Sequence, residues 1–314
     1  MKHIILEIGT QEPIRTIDSR LASYNIEMTE VTGGNFWRAY TPEQIAGTEK
    51  FPSVTDMRAF SKLTQWYDPI DLYNPRLRKL TKALGPLWLR VSGTGASKTY
   101  YDLDGEYADG TIPEGYERVL TQEQWIGVLE FVKAVGGKLL VSLSNCPGLH
   151  SAEEPWPSAQ AEKLFAFSAA YGVPIDGVEF MNEPNMLEYS GAPKGYTPKH
   201  FVRDQDIFHK WVRQHYPDCV VVGPSSTDSG AVPMGPVGKG GAGVADIMYS
   251  CSTDALFNGA ETRPDIFSYH YYNGVSERMA AMMPSAFTPF EGCMSEEYLG
   301  AAAHSARCFL SYRD

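Results

Sequence analysis

The stretch of the sequence best suited to chemistry is Gly177-Val178-Glu179-Phe180-Met181-Asn182-Glu183-Pro184-Asn185. An apolar run ends there in Asn-Glu-Pro, which predicts a buried strand with the Glu183 carboxylate at its carboxyl end. A carboxyl group held in this way can protonate the leaving oxygen of a glycosidic bond, and an amide beside it can hydrogen-bond the 2-hydroxyl of the sugar. Pro184 stiffens the turn and helps to fix the direction of the acid. The pattern favours Glu183 as a general acid/base over a glutamate that lies in a turn by chance.

Helix signals recur along the chain from residue 74 onward. Asn74 and Pro75 form a cap and first-turn pair, and Leu77, Leu80 and Leu84 are predicted on one face of the helix that follows. Further helices are predicted to begin at the capping box of Thr121 and Gln124, near Ala159, at Thr197-Pro198, near Val244 and at Ser295.

Apolar strands alternate with these helices, and polar residues follow them. Six strands are predicted to end near residues 31, 92, 143, 182, 223 and 270, the first of them covering residues 26–31. This alternation indicates an α/β fold whose parallel sheet is covered on both faces. In a (β/α)8 barrel the residues after the strands share one rim, whereas a doubly wound sheet concentrates its ligands at one switch point. We prefer an incomplete (β/α)8 barrel of about six βα units, because many strands end in polar residues: Thr94, Asn145, Glu183, Ser225, His270 and Tyr272.

Composition and charge limit the class of protein. The chain has 314 residues, of which 43% are hydrophobic and 21% charged, values typical of a globular domain of barrel size. Its formal charge of -11 argues against a general nucleic-acid or anionic-membrane binder, although a single site can still be positive. No apolar segment is long enough to span a membrane. The start of the chain lacks a secretory signal, so we expect a cytoplasmic protein or one whose leader has been removed.

No pattern in the sequence points to a metal ion or an organic cofactor. The five cysteines are far apart, which favours isolated buried thiols over zinc ligands or a disulfide framework. The seven histidines show no metal-binding spacing. Residues 238–243 match G-x-G-x-x-G, but they follow a Pro/Gly loop and not a strand, so a flexible connection is favoured over a dinucleotide site.

Five segments, taken in order, resemble glycoside hydrolase family 79, which includes heparanase and β-glucuronidases. Residues 179–185 resemble the acid/base strand of that family, and residues 89–94, 222–224 and 270–274 resemble its second, fifth and sixth barrel strands. Thr10-Gln11-Glu12-Pro13 resembles the end of an N-terminal strand that packs into a β-sandwich. Related families such as β-xylosidases share Asn-Glu-Pro-Asn, so the ordered set is the more specific signal. The resemblance implies a sandwich strand over residues 1–20, with most of the sandwich missing, and a partial catalytic barrel over residues 21–314.

The resemblance also implies roles for individual residues. Glu183 is the acid/base, and Asn182 is the partner of the 2-hydroxyl. Glu27 stands where the family has a sugar-contacting carboxylate, there typically Asp; an ordinary surface charge is the alternative. His270 would lie near the catalytic pair, or else be a hydrogen-bonded core histidine. The complete set of implied substrate-binding residues is Asn182, Glu27, Thr94, Asn145, His270 and Tyr272.

Members of the family retain anomeric configuration through a covalent intermediate, which needs a second carboxylate roughly 5–5.5 Å from the first. The family carries this nucleophile as a glutamate on its seventh strand. The late glutamates Glu291, Glu296 and Glu297 all lie in a predicted loop or at a helix start. We therefore expect a fragment whose nucleophile lies outside this chain and which does not hydrolyse glycosides alone.

The leading hypothesis is a retaining β-glycosidase that acts on glucuronate-containing glycans or glycosides without a metal or organic cofactor. A β-xylosidase or β-glucosidase of a related barrel family is one alternative. A carbohydrate-binding remnant that keeps the sugar subsite without the nucleophile is another.

Overall fold

The computed structural model describes residues 16–50, 54, 57–227, 250–272, 276–282, 284, 287–296 and 298–300. These residues form ten strands: β1 Tyr24–Glu27, β2 Gly34–Trp37, β3 Thr64–Tyr67, β4 Trp88–Ser92, β5 Thr99–Asp102, β6 Arg118–Thr121, β7 Lys138–Ser142, β8 Gly177–Glu179, β9 Val220–Ser226 and β10 Ile266–Tyr269. The α-helices are α1 Met28–Thr32, α2 Pro42–Ile45, α3 Pro75–Ala83, α4 Gln122–Val135, α5 Ala159–Ala170 and α6 Pro198–His215. Short 3-10 helices cover Ser19–Leu21, Met57–Leu63, Ala96–Lys98, Pro184–Ser190, Asp254–Leu256, Glu277–Met279 and Phe290–Met294.

The centre of the fold is a six-stranded parallel sheet in the order β1-β4-β7-β8-β9-β10. Each strand pairs with its predecessor in this series, and helices α3 to α6 lie in the connections. This is the order of a (β/α) barrel, and in the described residues the sheet stays open between β1 and β10. The predicted incomplete (β/α)8 barrel of about six βα units is confirmed.

The barrel strands alternate between an apolar face and a polar face, as side chains must on an extended backbone. Leu89 and Val91 of β4 belong to the buried apolar cluster that the helices cover. Between them, Arg90 faces the other way and hydrogen-bonds Glu179 of β8. The barrel interior is therefore polar near the carboxyl ends of its strands.

An aromatic cluster supports the end of β8 from the helix side. Phe180 is buried, and its ring lies 5.7 Å from that of Trp156, 5.4 Å from that of Phe208 and 5.5 Å from that of Phe201, measured between ring centroids. Phe201 and Phe208 both project from α6. Because this packing follows Glu179 directly, it fixes the direction in which the chain leaves the strand toward Glu183.

Two smaller pairs of strands extend the barrel beyond its rim. β2 and β3 form an antiparallel pair, and β5 and β6 form a parallel pair. Residues of both pairs line a cleft at the carboxyl ends of the barrel strands. These connections therefore belong to the wall of the candidate site.

Local signals account for the best-predicted helices. In α4, the Gln124 N–H donates to Thr121 Oγ1 at 3.3 Å, and the Thr121 N–H donates to Gln124 Oε1 at 3.0 Å, as the capping box predicts.

In α3, Leu77 packs against the core, whereas Leu80 and Leu84 are 55% and 63% exposed. The three predicted leucines of α3 thus do not all contact the core.

The predicted boundary of the first barrel strand is wrong. The strand ends at Glu27, and residues 28–32 form α1 instead of extending it. The Glu30 carboxylate accepts the Glu27 N–H at 2.9 Å, and the Glu27 carboxylate accepts the Glu30 N–H, so a capping box starts a helix there. Other predicted segments lie outside the described residues: residues 1–15 of the predicted sandwich strand, which include the motif at residues 10–13, residues 238–243 and the end of the last predicted helix.

Candidate active site

A cleft of about 1020 Å³ opens at the carboxyl ends of the barrel strands. It brings together six of the seven predicted site residues: Glu27, Thr94, Asn182, Glu183, His270 and Tyr272. They come from the ends of β1, β4, β8 and β10, which a parallel barrel places on one rim. The cleft is large enough for more than a single sugar.

Glu183 follows β8 in a left-handed backbone conformation, with φ +50° and ψ 53°. The Glu183 N–H donates to the Ser225 carbonyl at 3.1 Å, and the Glu183 carbonyl accepts from the Ser190 hydroxyl at 2.6 Å. The residue is only 8% exposed. Because an L-residue adopts this conformation at a cost, these bonds are what hold the carboxylate at its place.

One oxygen of the Glu183 carboxylate is held from behind. His270 Nδ1 lies 2.8 Å from Oε1, and the Tyr272 hydroxyl donates to the same oxygen at 3.1 Å. Burial and the nearby Glu183 charge raise the pKa of Tyr272, so its hydroxyl stays a donor at neutral pH. Among the described residues, nothing hydrogen-bonds Oε2. This second oxygen is therefore the one free to exchange a proton with a substrate.

Arg90 connects the neighbours of Glu183. The two hydrogens of its Nη2 are shared among three acceptors: Glu179 Oε1 at 2.5 Å, Asn182 Oδ1 at 3.0 Å and His270 Nε2 at 3.1 Å. Since a guanidinium only donates, His270 Nε2 must accept, which assigns the ring proton to Nδ1. The imidazole therefore donates to Glu183. In the same way, the Asn182 oxygen is occupied, and its amide NH₂ remains available as a donor.

Glu179 lies beneath the site and is 1% exposed. It accepts hydrogen bonds from Ser142 and from Ser225, the latter at 2.5 Å, in addition to Arg90. Burial alone would raise the pKa of Glu179, but Arg90 and these hydroxyls hold it below its ordinary value. The buried carboxylate thus stays charged and anchors the Arg90 guanidinium.

Glu27 places a second carboxyl group in the cleft, packed against the backbone of Gly93. A Cβ added to Gly93, where φ is +93°, would lie 1.4 Å from Glu27 Oε2. Burial raises the pKa of Glu27 to about 7; Arg90 opposes this rise, and the Glu183 charge adds to it. A carboxyl group that is partly protonated near neutral pH can both donate to and accept from sugar hydroxyls.

The structure does not place Asn145 at the cleft surface. The residue is completely buried, its oxygen lies 2.6 Å from His150 Nε2, and its amide donates to Met181 Sδ at 3.2 Å. These contacts direct the side chain behind the turn that carries Glu183. Asn145 can support the turn but does not line the subsite.

Two residues of this network were not singled out from the sequence. Arg90 and Glu179 are charged residues inside apolar strand runs, and that interruption is the signal that could have identified them. Of the late glutamates, Glu296 is exposed and does not line the cleft, and the side chains of Glu291 and Glu297 lie outside the described part.

Other chemistry finds little support in the part of the chain that the structure describes. That part holds no group of three or more His, Cys, Asp or Glu suited to a metal ion. Cys146, Cys219 and Cys251 are buried free thiols, and burial raises the pKa of Cys146 to about 11. None of the described helices has both the length and the apolar character needed to cross a membrane.

No protein-family model matches the chain. A curated relative from Hirudo nipponia, named hyaluronoglucuronidase, is 29% identical over 195 residues, which cover 54% of this chain and 38% of the relative. Among solved structures, a GH30 endoxylanase from Clostridium papyrosolvens C71 is 12% identical and has a TM-score of 0.35, with 75% of this chain and 51% of that chain covered. AbfB, a family 51 α-L-arabinofuranosidase from Bifidobacterium longum, is 13% identical with a TM-score of 0.44, over 96% of this chain and 53% of that chain.

The chain spans about half, or less, of the length of these relatives. The chain is therefore similar in sequence to part of a protein named hyaluronoglucuronidase, and the carboxyl groups of Glu27 and Glu183 line the cleft at the strand ends.

Proposed function

We propose that the chain carries the acid/base part of a retaining glycoside hydrolase that acts on β-linked, glucuronate-containing glycans or glycosides. The observation that carries this proposal is the asymmetric setting of Glu183: His270 and Tyr272 bind one oxygen, and the other is open to the cleft. The sequence similarity to a hyaluronoglucuronidase supports glucuronate as the sugar.

In the proposed mechanism Glu183 acts twice. In the first step the nucleophile bonds to the anomeric carbon, and Oε2 gives its proton to the glycosidic oxygen as the bond between that oxygen and the anomeric carbon breaks. In the second step the same carboxylate takes a proton from the water that attacks the intermediate. Asn182 directs its amide NH₂ to the 2-hydroxyl, because Arg90 occupies its oxygen. His270 and Tyr272 stabilise the carboxylate between the two steps.

The nucleophile of this mechanism is a separate part of the proposal. Besides Glu183, the described carboxylates that line the cleft are Glu27 and Glu117. Glu117 is paired with Lys98 at 2.8 Å, and a pKa of about 7 keeps Glu27 largely protonated, and so a poor nucleophile, under acidic conditions. We assign Glu27 to the sugar hydroxyls and propose that the nucleophile lies outside this chain, which alone does not hydrolyse the substrate.

Turnover measurements test the substrate and the missing nucleophile separately. The 314-residue chain and the product of its complete reading frame are assayed on p-nitrophenyl β-D-glucuronide, β-D-xyloside and β-D-glucoside. We expect turnover of the glucuronide by the complete product only. Turnover of the xyloside or glucoside without the glucuronide would contradict the proposed sugar. Turnover by the 314-residue chain would contradict the missing nucleophile.

Replacement of Glu183 by Ala tests the acid/base role in the complete product. We expect hydrolysis of substrates with poor leaving groups to fall by about 10²–10⁴-fold, because proton donation is lost. On the p-nitrophenyl substrate, whose leaving group departs without a proton, azide should restore part of the rate, because it attacks the intermediate without a general base. Glu188→Gln, at an exposed position of the same turn, is the matched control and should keep the full rate. An unchanged rate in Glu183→Ala would remove Glu183 from the mechanism.

A further inference from the structure

Arg118 places a positive charge in the wall of the cleft without an ion-pair partner. It is the first residue of β6, and it lines the same cleft as Glu183. Nη1 donates to the neutral Thr29 hydroxyl at 2.5 Å. None of the ion pairs between described residues includes Arg118. Its Nε is buried and has no hydrogen-bond partner among those residues.

The two carboxylates whose charges act on Arg118 are bound to other groups. Glu117 pairs with Lys98, and the Glu27 carboxylate accepts the N–H of Glu30. Burial lowers the pKa of Arg118 below its ordinary value, and the charges of Glu117 and Glu27 oppose this change through space. A charge removed from water in this way is normally compensated by a bound opposite charge.

The position of the Arg118 guanidinium is fixed by its surroundings. A Cβ on Gly95 would lie 3.0 Å from Arg118 Nη1 and 2.7 Å from Thr29 Oγ1, so the loop after β4 fits closely against this contact. β6 pairs with β5, with Arg118 opposite Thr99. Because one N–H of Nη1 goes to Thr29 and Nε is buried, Nη2 and the second N–H of Nη1 are the donors that remain for a ligand in the cleft.

We propose that Arg118 binds the anionic group of the sugar substrate, a carboxylate or a sulfate ester. A guanidinium suits these planar or tetrahedral oxyanions because it donates charge-assisted hydrogen bonds in a fixed geometry. This assignment rests on the proposed function of the cleft. It adds the residue by which a chain with a net charge of -11 selects an acidic sugar.

Binding to the 314-residue chain tests this assignment without any turnover. Calorimetry is used with a hyaluronan tetrasaccharide, whose acidic groups are carboxylates, and with the same tetrasaccharide after reduction of its carboxylates to alcohols. A chondroitin 6-sulfate tetrasaccharide and its carboxyl-reduced form separate sulfate from carboxylate. Arg118→Gln removes the charge, and Arg118→Lys keeps the charge without the planar fork. Arg76→Gln, at an exposed position on α3, controls for net charge.

The wild-type chain should bind an anionic form about tenfold to a hundredfold more tightly than its neutral form. Arg118→Gln should abolish this difference and leave the affinity for the neutral form unchanged, with Arg118→Lys intermediate and Arg76→Gln like the wild type. A loss of affinity on carboxyl reduction in both pairs identifies a bound carboxylate, and tighter binding of carboxyl-reduced chondroitin 6-sulfate than of carboxyl-reduced hyaluronan identifies a bound sulfate. An Arg118→Gln chain that still distinguishes the two forms overturns the role of Arg118 while the glycosidase proposal stands. If that variant does not fold, full discrimination by Arg118→Lys overturns the role instead. A wild-type chain that binds none of the four sugars overturns the carbohydrate function itself.

Discussion

At the scale of single residues, the two oxygens of Glu183 have different hydrogen-bond partners. Oε1 accepts from His270 and Tyr272, and Oε2 faces the cleft without a partner among the described residues. Two donors hold one oxygen in place, while the free oxygen can carry the proton. This division suits a group that must be an acid in one step and a base in the next.

Glu27 predicts a pH dependence of stability. Burial raises the pKa of Glu27 from 4.5 to about 7, so the folded chain binds a proton that the unfolded chain releases between these values. This contribution to stability is fully present below pH 4.5 and is lost as the pH rises through 7. As the pH rises over this range, the free energy of unfolding should fall less in Glu27→Gln than in the wild type. The difference between the two falls should reach up to about 3 kcal/mol. Urea unfolding at four pH values between these limits measures it.

The control for this prediction is Glu123→Gln, an exposed acid in the first turn of α4. Its stability profile should run parallel to that of the wild type. If the profile of Glu27→Gln also runs parallel, Glu27 does not keep its proton to neutral pH.

Gly93 predicts how tightly the Glu27 carboxylate is seated. In Gly93→Ala the new Cβ would meet Glu27 Oε2, and a positive φ would strain the backbone as well. Gly105 has a similar positive φ of +79° but open space around the added Cβ, so the stability lost in Gly105→Ala measures the backbone strain alone. We expect a loss of about 1 kcal/mol in Gly105→Ala and roughly 2–4 kcal/mol in Gly93→Ala, measured by urea unfolding. Equal losses would show that Glu27 moves away freely.

At the scale of elements, one guanidinium joins three strand ends. Arg90 lies on β4, Glu179 lies on β8, and His270 follows β10. The strands reach this point from different parts of the sequence, and their polar ends meet because parallel strands share one rim. The orientation of the candidate acid therefore depends on a contact that no single βα unit contains.

Arg90→Met tests this junction. It leaves the Glu179 carboxylate buried without its cation, so we expect a loss of about 3–5 kcal/mol in the free energy of unfolding. The pKa of Glu179 is held below its ordinary value in the wild type, and this contribution is present above the unfolded pKa and is lost as the pH falls. In Arg90→Met that contribution should disappear, and the variant should gain stability on acidification relative to the wild type.

The double variant Arg90→Met/Glu179→Gln is the control for the unpaired charge. It should recover much of the stability lost in the single variant, because the buried charge is gone as well. If the double variant is no more stable than Arg90→Met, the loss comes from packing at Arg90 and not from the charge on Glu179.

At the scale of the whole molecule, the sequence alone predicts an element where the signal for that element is local. The capping box of Thr121 and Gln124 needs only residues three apart, and the structure confirms it. The partial barrel was predictable because buried parallel strands alternate with helices along the chain. The end of β1 was not predictable, because the mixed apolar and polar residues 26–31 suit a strand as well as a helix, and the Glu27–Glu30 cap decides between them.

The contacts inside the site could not be predicted from the sequence, for a different reason. Arg90 and Glu179 are 89 residues apart, as are Thr29 and Arg118, and no local pattern links such pairs. The strand ends could be assigned to one rim, which brought six predicted residues into one cleft. Asn145 follows a strand in the same way, yet its bond to His150 turns it into the interior.

Glu183 and Ser225 both have left-handed backbones, with φ of +50° and +57°, and a hydrogen bond joins them. Together they cost the fold about 2 kcal/mol of stability, since each L-residue in this conformation costs about 1 kcal/mol. In exchange the carboxylate is preorganised and has no reorientation to complete while a barrier is crossed. Because about 1.4 kcal/mol corresponds to a tenfold change in rate, a roughly thirtyfold gain from preorganisation would already offset the stability that these two residues remove.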